Sequence, residues 1–219
     1  MIQGAIFDQD GLMFDTEKSW LKAWKPALSE FGYPDVPEGL PAATRGTSGD
    51  SFYAAIHRFF GPEADAKGIR DALSRHAYAD IRAHIEKKPG LDELLAWLSD
   101  QGVPCAVATS SPRGDTLNNL RRSGIEERFQ AVVTGDQITR SKPDPQIFNI
   151  AASLIGTEPA HTLVLEDSKQ GLRAGHAGGF ITVMVPDLTP PDEETDALCD
   201  ACCASLLEVR DLLASGKLG

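Results

Sequence analysis

From Pro89-Gly90 onward, short apolar runs alternate with stretches of helical spacing, and this alternation narrows the possible folds more than any other feature. Residues 91–100 read as a helix, 103–108 as a strand and 115–123 as a helix. A short strand at 131–133, a helix at 145–155, a strand at 162–165, a helix at 171–177 and a strand at 180–185 follow, and 206–213 closes with a helix. Strands separated by helices of this length imply a parallel sheet with right-handed crossovers. The apolar run Gly4-Ala5-Ile6-Phe7 supplies one more strand, expected at the centre of that sheet.

Between that run and the alternating region the pattern is helical only. A helix from Glu17 to about Phe31, capped by Asp15 or Thr16, carries Trp20, Trp24, Leu28 and Phe31 as an apolar stripe, and Pro26 should bend or break it. Residues 34–41 read as a loop. A second helix starts near Ser48 to Asp50 with Phe52, Ile56, Phe59 and Phe60 inward, and ends at Gly61-Pro62. A third, over 63–85, carries Ile69, Leu73, Ala77, Ile81 and Ile85, with a break expected inside it. The domain reading is therefore an α/β core from residues 1–14 and 89–219, and a helical insertion at 15–88 with a core of its own. Linkers at 12–16 and 86–90 would be the hinge.

Composition excludes some partners. With 21 basic and 32 acidic residues the net charge is −11, which argues against nucleic acid and anionic membrane. A phosphate-bearing ligand would then have to be met by locally placed cations. The chain has no 18-residue apolar run and no basic-then-apolar leader, so the expected location is cytoplasmic, as a monomer. Cys105 falls in a buried strand and reads as a small hydrophobe. Cys199, Cys202 and Cys203 resemble half of a metal or redox motif, but no second Cys/His cluster accompanies them, so packing is the reading. The five histidines show no ligand spacing, and 187–196, rich in proline and acids, reads as a surface loop.

Polar residues recur where the strands end. The first strand runs into Asp8-Gln9-Asp10-Gly11, two carboxylates two residues apart and a glycine. In an open parallel sheet, ligands sit beyond the carboxyl ends of strands. Two acids at that place need a proton or a cation, and Mg²⁺ fits because it is held by one or two carboxylates while keeping positions for water and phosphate oxygens. Alone, Asp-x-Asp-Gly also makes ordinary turns. However, 107–108 runs into Thr109-Ser110-Ser111, 163–165 into Glu166-Asp167-Ser168, and Ser141-Lys142-Pro143-Asp144 precedes a helix. A hydroxyl cap, a solvated lysine or an acidic helix start would explain each singly. Parallel strands would bring Asp8, Asp10, Thr109, Glu166 and Asp167 to one rim.

These residues resemble the haloacid dehalogenase superfamily along essentially the whole chain. Phe7-Asp8-Gln9-Asp10-Gly11 looks like its first motif, Thr109 its second, Lys142-Pro143 its third and Glu166-Asp167-Ser168 its fourth. Asp15-Thr16-Glu17 and the insertion resemble the subgroup with an α-helical cap, which contains sugar-phosphate phosphatases, β-phosphoglucomutase and true dehalogenases. The resemblance implies an α/β fold, a Rossmann-like parallel sheet with an inserted all-helical cap. It implies a Mg²⁺-dependent phosphatase of a small phosphorylated metabolite, a sugar phosphate, working through an aspartyl-phosphate. Asp8 would be the nucleophile and Asp10 the acid and base. Thr109, the Ser110 amide and Lys142 would hold the phosphoryl oxygens. Mg²⁺ would be held by Asp8, the Asp10 carbonyl and Asp167, with Glu166 nearby. Arg45, with Gly46, looks like the basic substrate contact of the cap; the bland alternative is a surface arginine. Trp20 would face either the cap core or the mouth of the site.

Three other readings compete. A signalling receiver domain has no inserted cap and carries its acceptor aspartate on a later strand. A non-catalytic phosphosugar- or metal-binding module would be expected to lack a motif residue. A phosphosugar mutase of the β-phosphoglucomutase type needs a cap histidine that gates Asp10 and a cap arginine that grips a distal phosphate. Short ungapped matches put Trp20 and Gly49 at those positions, so hydrolysis without isomerisation, and no second phosphate clamp, are expected.

Overall fold

The computed structural model describes residues 2–45, 47 and 49–218 of the chain. Six strands, β1 (Gly4–Phe7), β2 (Cys105–Thr109), β3 (Ala131–Thr134), β4 (Thr162–Glu166), β5 (Ile181–Met184) and β6 (Ala201–Cys202), form one parallel sheet in the order β3-β2-β1-β4-β5-β6. Every residue of β1, β2 and β4 is buried, the pattern of strands covered on both faces. The chain divides into two compact units, Met1–Asp15 with Ile85–Gly219, and Thr16–His84.

The second unit is all-helical: α1 (Glu17–Ser29), α2 (Leu40–Thr44), α3 (Gly49–Phe60) and α4 (Ala66–Ala83). Its core joins Trp24, Ala27 and Leu28 of α1 to Phe52 and Ile56 of α3 and to Ile69, Leu73 and Ala77 of α4. Three sequence expectations need correction here. Pro26 lies inside α1 without ending it. The carbonyl that Pro26 leaves without a helical donor is that of Lys22, and both residues are exposed, so water can satisfy it. The third helix is shorter than expected but unbroken, because Ala66, Ile69, Ala72, Leu73, Ala77 and Ile81 form a continuous buried stripe. It starts at Ala66 because the Asp65 carboxylate accepts from the Gly68 amide at 2.8 Å. The third correction is α2, at the end of the expected loop. Its start is set by Gly39 at φ 80° and by Pro41 in its first turn, where a missing N–H costs nothing. The start expected for the second helix at Ser48 lies outside the described residues, as does Gly46.

The first unit continues with α5 (Leu91–Asp100), α6 (Arg113–Arg122), α7 (Gln146–Ile155), α8 (Lys169–Ala177), α9 (Glu193–Leu198) and α10 (Leu206–Ala214). Side chains of successive strand residues point to opposite faces. Ala5, Phe7, Leu163 and Leu165 accordingly pack with Leu94, Leu98 and Val209 on one side, and Ile6, Ala106 and Val164 with Phe148, Ala151 and Ala174 on the other. The expected loop at 187–196 ends instead in α9, because Asp192 and Thr195 form a reciprocal capping box. Strand β6 was also unforeseen; at two residues it gives no alternation to read. All four cysteines are free, and burial pushes the Cys105 thiol up to about 12. Two segments flank the helical unit and are tied together. The Asp15 amide donates to Glu86 O at 3.0 Å, the Lys88 amide donates to Met13 O at 2.8 Å, and Phe14 forms an antiparallel bridge with Lys87. No helix among the described residues is long and apolar enough to cross a membrane.

Candidate active site

The strand order reverses direction between β1 and β4, and crevices at such points lie beyond the strands' carboxyl ends. Phe7 is in register with Val107 on one side and with Leu165 on the other. One residue further on, Asp8 therefore stands between Ala108 and Glu166. Short loops carry the rest: Asp10 follows Asp8, Thr109 ends β2, and Asp167 follows β4.

Lys142 reaches this crevice from the loop before α7, where the Lys142–Pro143 peptide bond is cis. Its Nζ donates to Asp8 Oδ1 at 2.5 Å, to Glu166 Oε1 at 2.5 Å and to Ala108 O at 3.2 Å. These acceptors use all three of its protons. The side chain is 7% exposed, and the ammonium lies 4.9 Å from the centre of the Phe148 ring. The Glu166 carboxylate is fully buried, and its Oε2 accepts from the Ser168 amide at 3.2 Å and hydroxyl at 2.9 Å. Gly171 makes this possible, since a Cβ there would overlap the Glu166 carboxylate.

The electrostatics follow from that burial. Burial pushes the Asp8 carboxyl up to about 7, against the pull of Lys142, and neighbouring Glu166 pushes the same way. Burial also works against the Lys142 charge, but Asp8 and Glu166 outweigh it and hold the ammonium proton above the usual lysine range. One cation serves more carboxylates than it can neutralise.

Asp10 is held differently. Its Oδ2 accepts from Ser111 Oγ at 2.5 Å and from Gln9 Nε2 at 3.4 Å, while its buried Oδ1 has no partner among the described residues. Thr109 Oγ1, itself buried, accepts from the Ser111 amide at 3.1 Å. Ser110, between them, is exposed. Sequence reasoning saw Ser111 only as part of a hydroxyl-rich strand end. Its place beside Asp10 was not legible, because β2 ends at Thr109 and the alternation of a strand does not extend to 111.

Asp8, Glu166 and Asp167 each present an oxygen within 4.8 Å of the others. Gly11, at φ 87°, lies against them, and a Cβ there would overlap the Asp167 carboxylate and come within 3.4 Å of Asp187 Oδ2. Asp187 was not foreseen at this place. Its Oδ1 accepts from Lys88 Nζ at 2.6 Å, while its buried Oδ2 has no partner among the described residues. Hard oxygen donors in negative excess, with an orphaned carboxylate oxygen beside them, fit a Mg²⁺ ion.

The remaining candidates belong to the helical unit. Arg45 Nε lies 3.9 Å from Glu17 Oε2, and Trp20 packs edge-on against Tyr78 at 5.5 Å between ring centres. Both line a cavity of about 240 Å³ within that unit.

Known proteins resemble this chain in sequence and fold. Residues 5–185 match the family model of haloacid dehalogenase-like hydrolases. A phosphorylated carbohydrates phosphatase of Thermotoga maritima is 30% identical over 189 residues, covering 82% of each chain. A β-phosphoglucomutase of Bacillus subtilis is 29% identical over 194 residues, 84% of this chain and 83% of that one. The crystal structure of CbbY from Rhodobacter sphaeroides in complex with phosphate superposes with a TM-score of 0.78 at 26% identity, over 95% of this chain and 96% of that one. With its motif carboxylates and lysine gathered at the ends of β1, β2 and β4, and an all-helical insertion after the first strand, the chain belongs to the haloacid dehalogenase-like hydrolases.

Proposed function

We propose that this protein is a Mg²⁺-dependent phosphatase of small phosphorylated metabolites, sugar phosphates in particular, that forms an aspartyl-phosphate on Asp8. The observation that carries this reading is the division of labour between neighbouring aspartates. Asp8 is clamped to Lys142 at 2.5 Å, whereas Asp10 is anchored through one oxygen by Ser111 and keeps the other open. A nucleophile needs a fixed position, and a proton carrier needs a free oxygen. The phosphatase relatives support the substrate class.

In this mechanism an Asp8 oxygen attacks phosphorus and the bond to the leaving oxygen breaks, while Asp10 hands that oxygen a proton. Water then attacks the aspartyl-phosphate and Asp10 takes a proton from it. The Asp8–phosphorus bond breaks, which frees phosphate and restores the carboxylate. The Thr109 hydroxyl and the Ser110 amide are the donors for the phosphoryl oxygens, joined by Lys142 as it exchanges its hydrogen bond to Asp8 or Ala108 for one to the phosphoryl group. Asp8, the Asp10 carbonyl and Asp167 would hold Mg²⁺, with Glu166 as an outer member because Lys142 and Ser168 already occupy its two oxygens. Bound there, the ion would neutralise charge as two anions approach each other. Arg45 and Trp20 are assigned to the leaving group. The test is phosphate release from a panel of phosphorylated sugars, polyols, nucleotides and glycolate, with and without Mg²⁺; activity on none of them refutes the reading.

Hydrolysis is proposed over isomerisation. Trp20 carries an indole packed on Tyr78, which cannot relay a proton as a gating histidine does, and Gly49 opens α3 with no side chain to grip a phosphate. Enzyme, Mg²⁺ and β-glucose 1-phosphate are incubated with a trace of the 1,6-bisphosphate. Free phosphate should form faster than glucose 6-phosphate, and the reverse order would overturn the assignment.

A further inference from the structure

Asp187 stands apart from the three carboxylates of the crevice, and internal pairing accounts for only one of its two oxygens. It arrives on the loop after β5. Met184, the last residue of β5, is in register with Glu166, and the Val185 amide donates to Glu166 O at 2.8 Å. That loop therefore leaves the sheet beside the end of β4, and Asp187 follows two residues later. Its side chain is 12% exposed. Oδ1 accepts from Lys88 Nζ at 2.6 Å. Oδ2 is buried without a partner among the described residues, although an ammonium carries three protons and could serve both oxygens.

A buried carboxylate oxygen without a donor costs free energy, so what surrounds it is informative. On one side lies Gly11: a Cβ there would come within 3.4 Å of Asp187 Oδ2 and would overlap Asp167 Oδ2. Gly11 cannot be the donor, because its amide is spent on Phe14 O at 3.0 Å. Beyond the missing methyl stands a second acceptor, the Asp167 carboxylate. Two carboxylate oxygens on either side of one absent methyl group need a donor that the described residues do not supply. Nor is Asp187 a further member of the ligand cluster. Asp8, Glu166 and Asp167 present oxygens within 4.8 Å of one another, and Asp187 falls outside that group. Mg²⁺ gives up its waters reluctantly and keeps several of them, and the ion's charge makes those waters strong donors. An acceptor set just beyond Asp167 suits such a water better than it suits the ion.

We infer that Asp187 is a positioning residue of the metal site: its Oδ2 accepts a hydrogen bond from a water carried by Mg²⁺, and Lys88 fixes the carboxylate by holding Oδ1. The inference rests on the Mg²⁺ part of the phosphatase reading and deepens it by naming a residue that meets the ion only through water. The competing explanation is that Asp187 serves Lys88 alone, tying the loop after β5 to residues 86–88. A tie depends equally on both partners, whereas a hold on water depends on Asp187.

Metal binding is measured on the full-length protein without substrate. Mn²⁺ is titrated and followed by the electron paramagnetic resonance signal of the free ion, with Mg²⁺ added as competitor. Asp187→Ala should weaken both ions by roughly 10- to 100-fold, the range for groups that orient metal ligands from outside, and Asp187→Glu should recover part of the loss. Lys88→Met should weaken them far less, since it keeps the carboxylate and removes a competing positive charge. The charge-neutral double variant, Asp187→Ala with Lys88→Met, separates hydrogen bond from charge. It should still bind both ions at least about tenfold more weakly than the wild type, and it carries the test if Asp187→Ala alone does not fold. Wild-type affinity in Asp187→Ala or in the double variant, or equal losses in Asp187→Ala and Lys88→Met, overturns the inference and leaves the tie as the role of Asp187. If the wild type binds neither ion, or Asp167→Asn binds them as the wild type does, the metal reading itself fails and this inference falls with it.

Discussion

The crevice in the sheet unit and the cavity in the helical unit carry opposite charge imbalances. Around Asp8, three carboxylates crowd one buried ammonium, and Lys142 has spent all its protons within the protein. Around Arg70, in the α4 wall of the cavity, neither the guanidinium nor the Ser74 hydroxyl has a partner among the described residues, and the wall carboxylate Glu17 is already matched by Arg45. The first is short of positive charge and the second of negative charge. The difference teaches that residual charge after internal pairing, more than residue type, says what a site is waiting for.

The largest test is to remove one carboxylate from the crowded side. Asp8→Asn should abolish phosphate release, because an amide is neither nucleophile nor good metal ligand, and Asp10→Asn should slow it by roughly 10²–10⁴-fold. Near-normal turnover by Asp8→Asn, with contamination excluded, would falsify the nucleophile assignment. The same variant should be more stable than the wild type when both are stripped of metal. In the folded protein Asp8 holds its proton up to about pH 7, against about 4 in an unfolded chain. The folded state thus binds more protons across that window, and metal-free stability falls as pH rises through it. Thermal melts in a chelator at pH 8 should show Asp8→Asn melting higher, with the gap closing by about pH 4.

Removing the cation instead should deepen the imbalance. Lys142→Met leaves Asp8 and Glu166 buried together, and loss of one partner of a buried pair typically costs about 3–5 kcal/mol. Denaturant melts should find a larger loss at pH 8 than at pH 5, because at pH 5 a protonated Asp8 no longer crowds Glu166 with charge. Equal losses at the two pH values would break the charge argument.

Ser111→Ala tests anchoring without altering charge. It leaves Asp10 Oδ2 with only the longer bond from Gln9, and kcat should fall about tenfold with little change in melting, as expected for one hydrogen bond to a charged group. The smallest effect is expected from Asp65→Ala, which removes the cap of α4 at about 1 kcal/mol. Hydrogen exchange should then quicken at the start of α4 while β1 and β4 stay protected. Uniform quickening would mean that the two units do not open separately.

The two regions were unequally legible. Asp8, Asp10, Thr109, Glu166 and Asp167 stand at strand ends in a parallel sheet, so a one-dimensional pattern of apolar run followed by polar residue locates them. Lys142 needed the resemblance, because nothing local says that a lysine in a proline-rich loop folds inward. Asp187 was lost in a stretch whose prolines and acids read as solvent-exposed, yet one of its oxygens is buried beside Gly11. Arg70 and Ser74 were hidden for another reason. On a helix with apolar residues at 69, 72, 73 and 77, a polar spacing of four looks like the solvated face. That face became a cavity wall only because α1 stands opposite, and helix pairing is a tertiary fact. Of the bend or break read at Pro26, the break is absent: which side of a helix a proline occupies decides whether it breaks the helix, and that too depends on packing.

The tie between residues 13–15 and 86–88 has a consequence for how such a chain can change over generations. Because the sheet unit itself holds these two segments together, everything between them is a closed excursion. Even a flexible loop closed in this way costs only about 0.6 kcal/mol of closure entropy for each doubling of its length. Its contents can therefore be lengthened, shortened or exchanged while Asp8, Asp10, Lys142 and Asp167 keep their places. On the proposed mechanism, selection could then alter which compound is accepted by rewriting α1 to α4, and the reacting residues would not have to be reinvented each time.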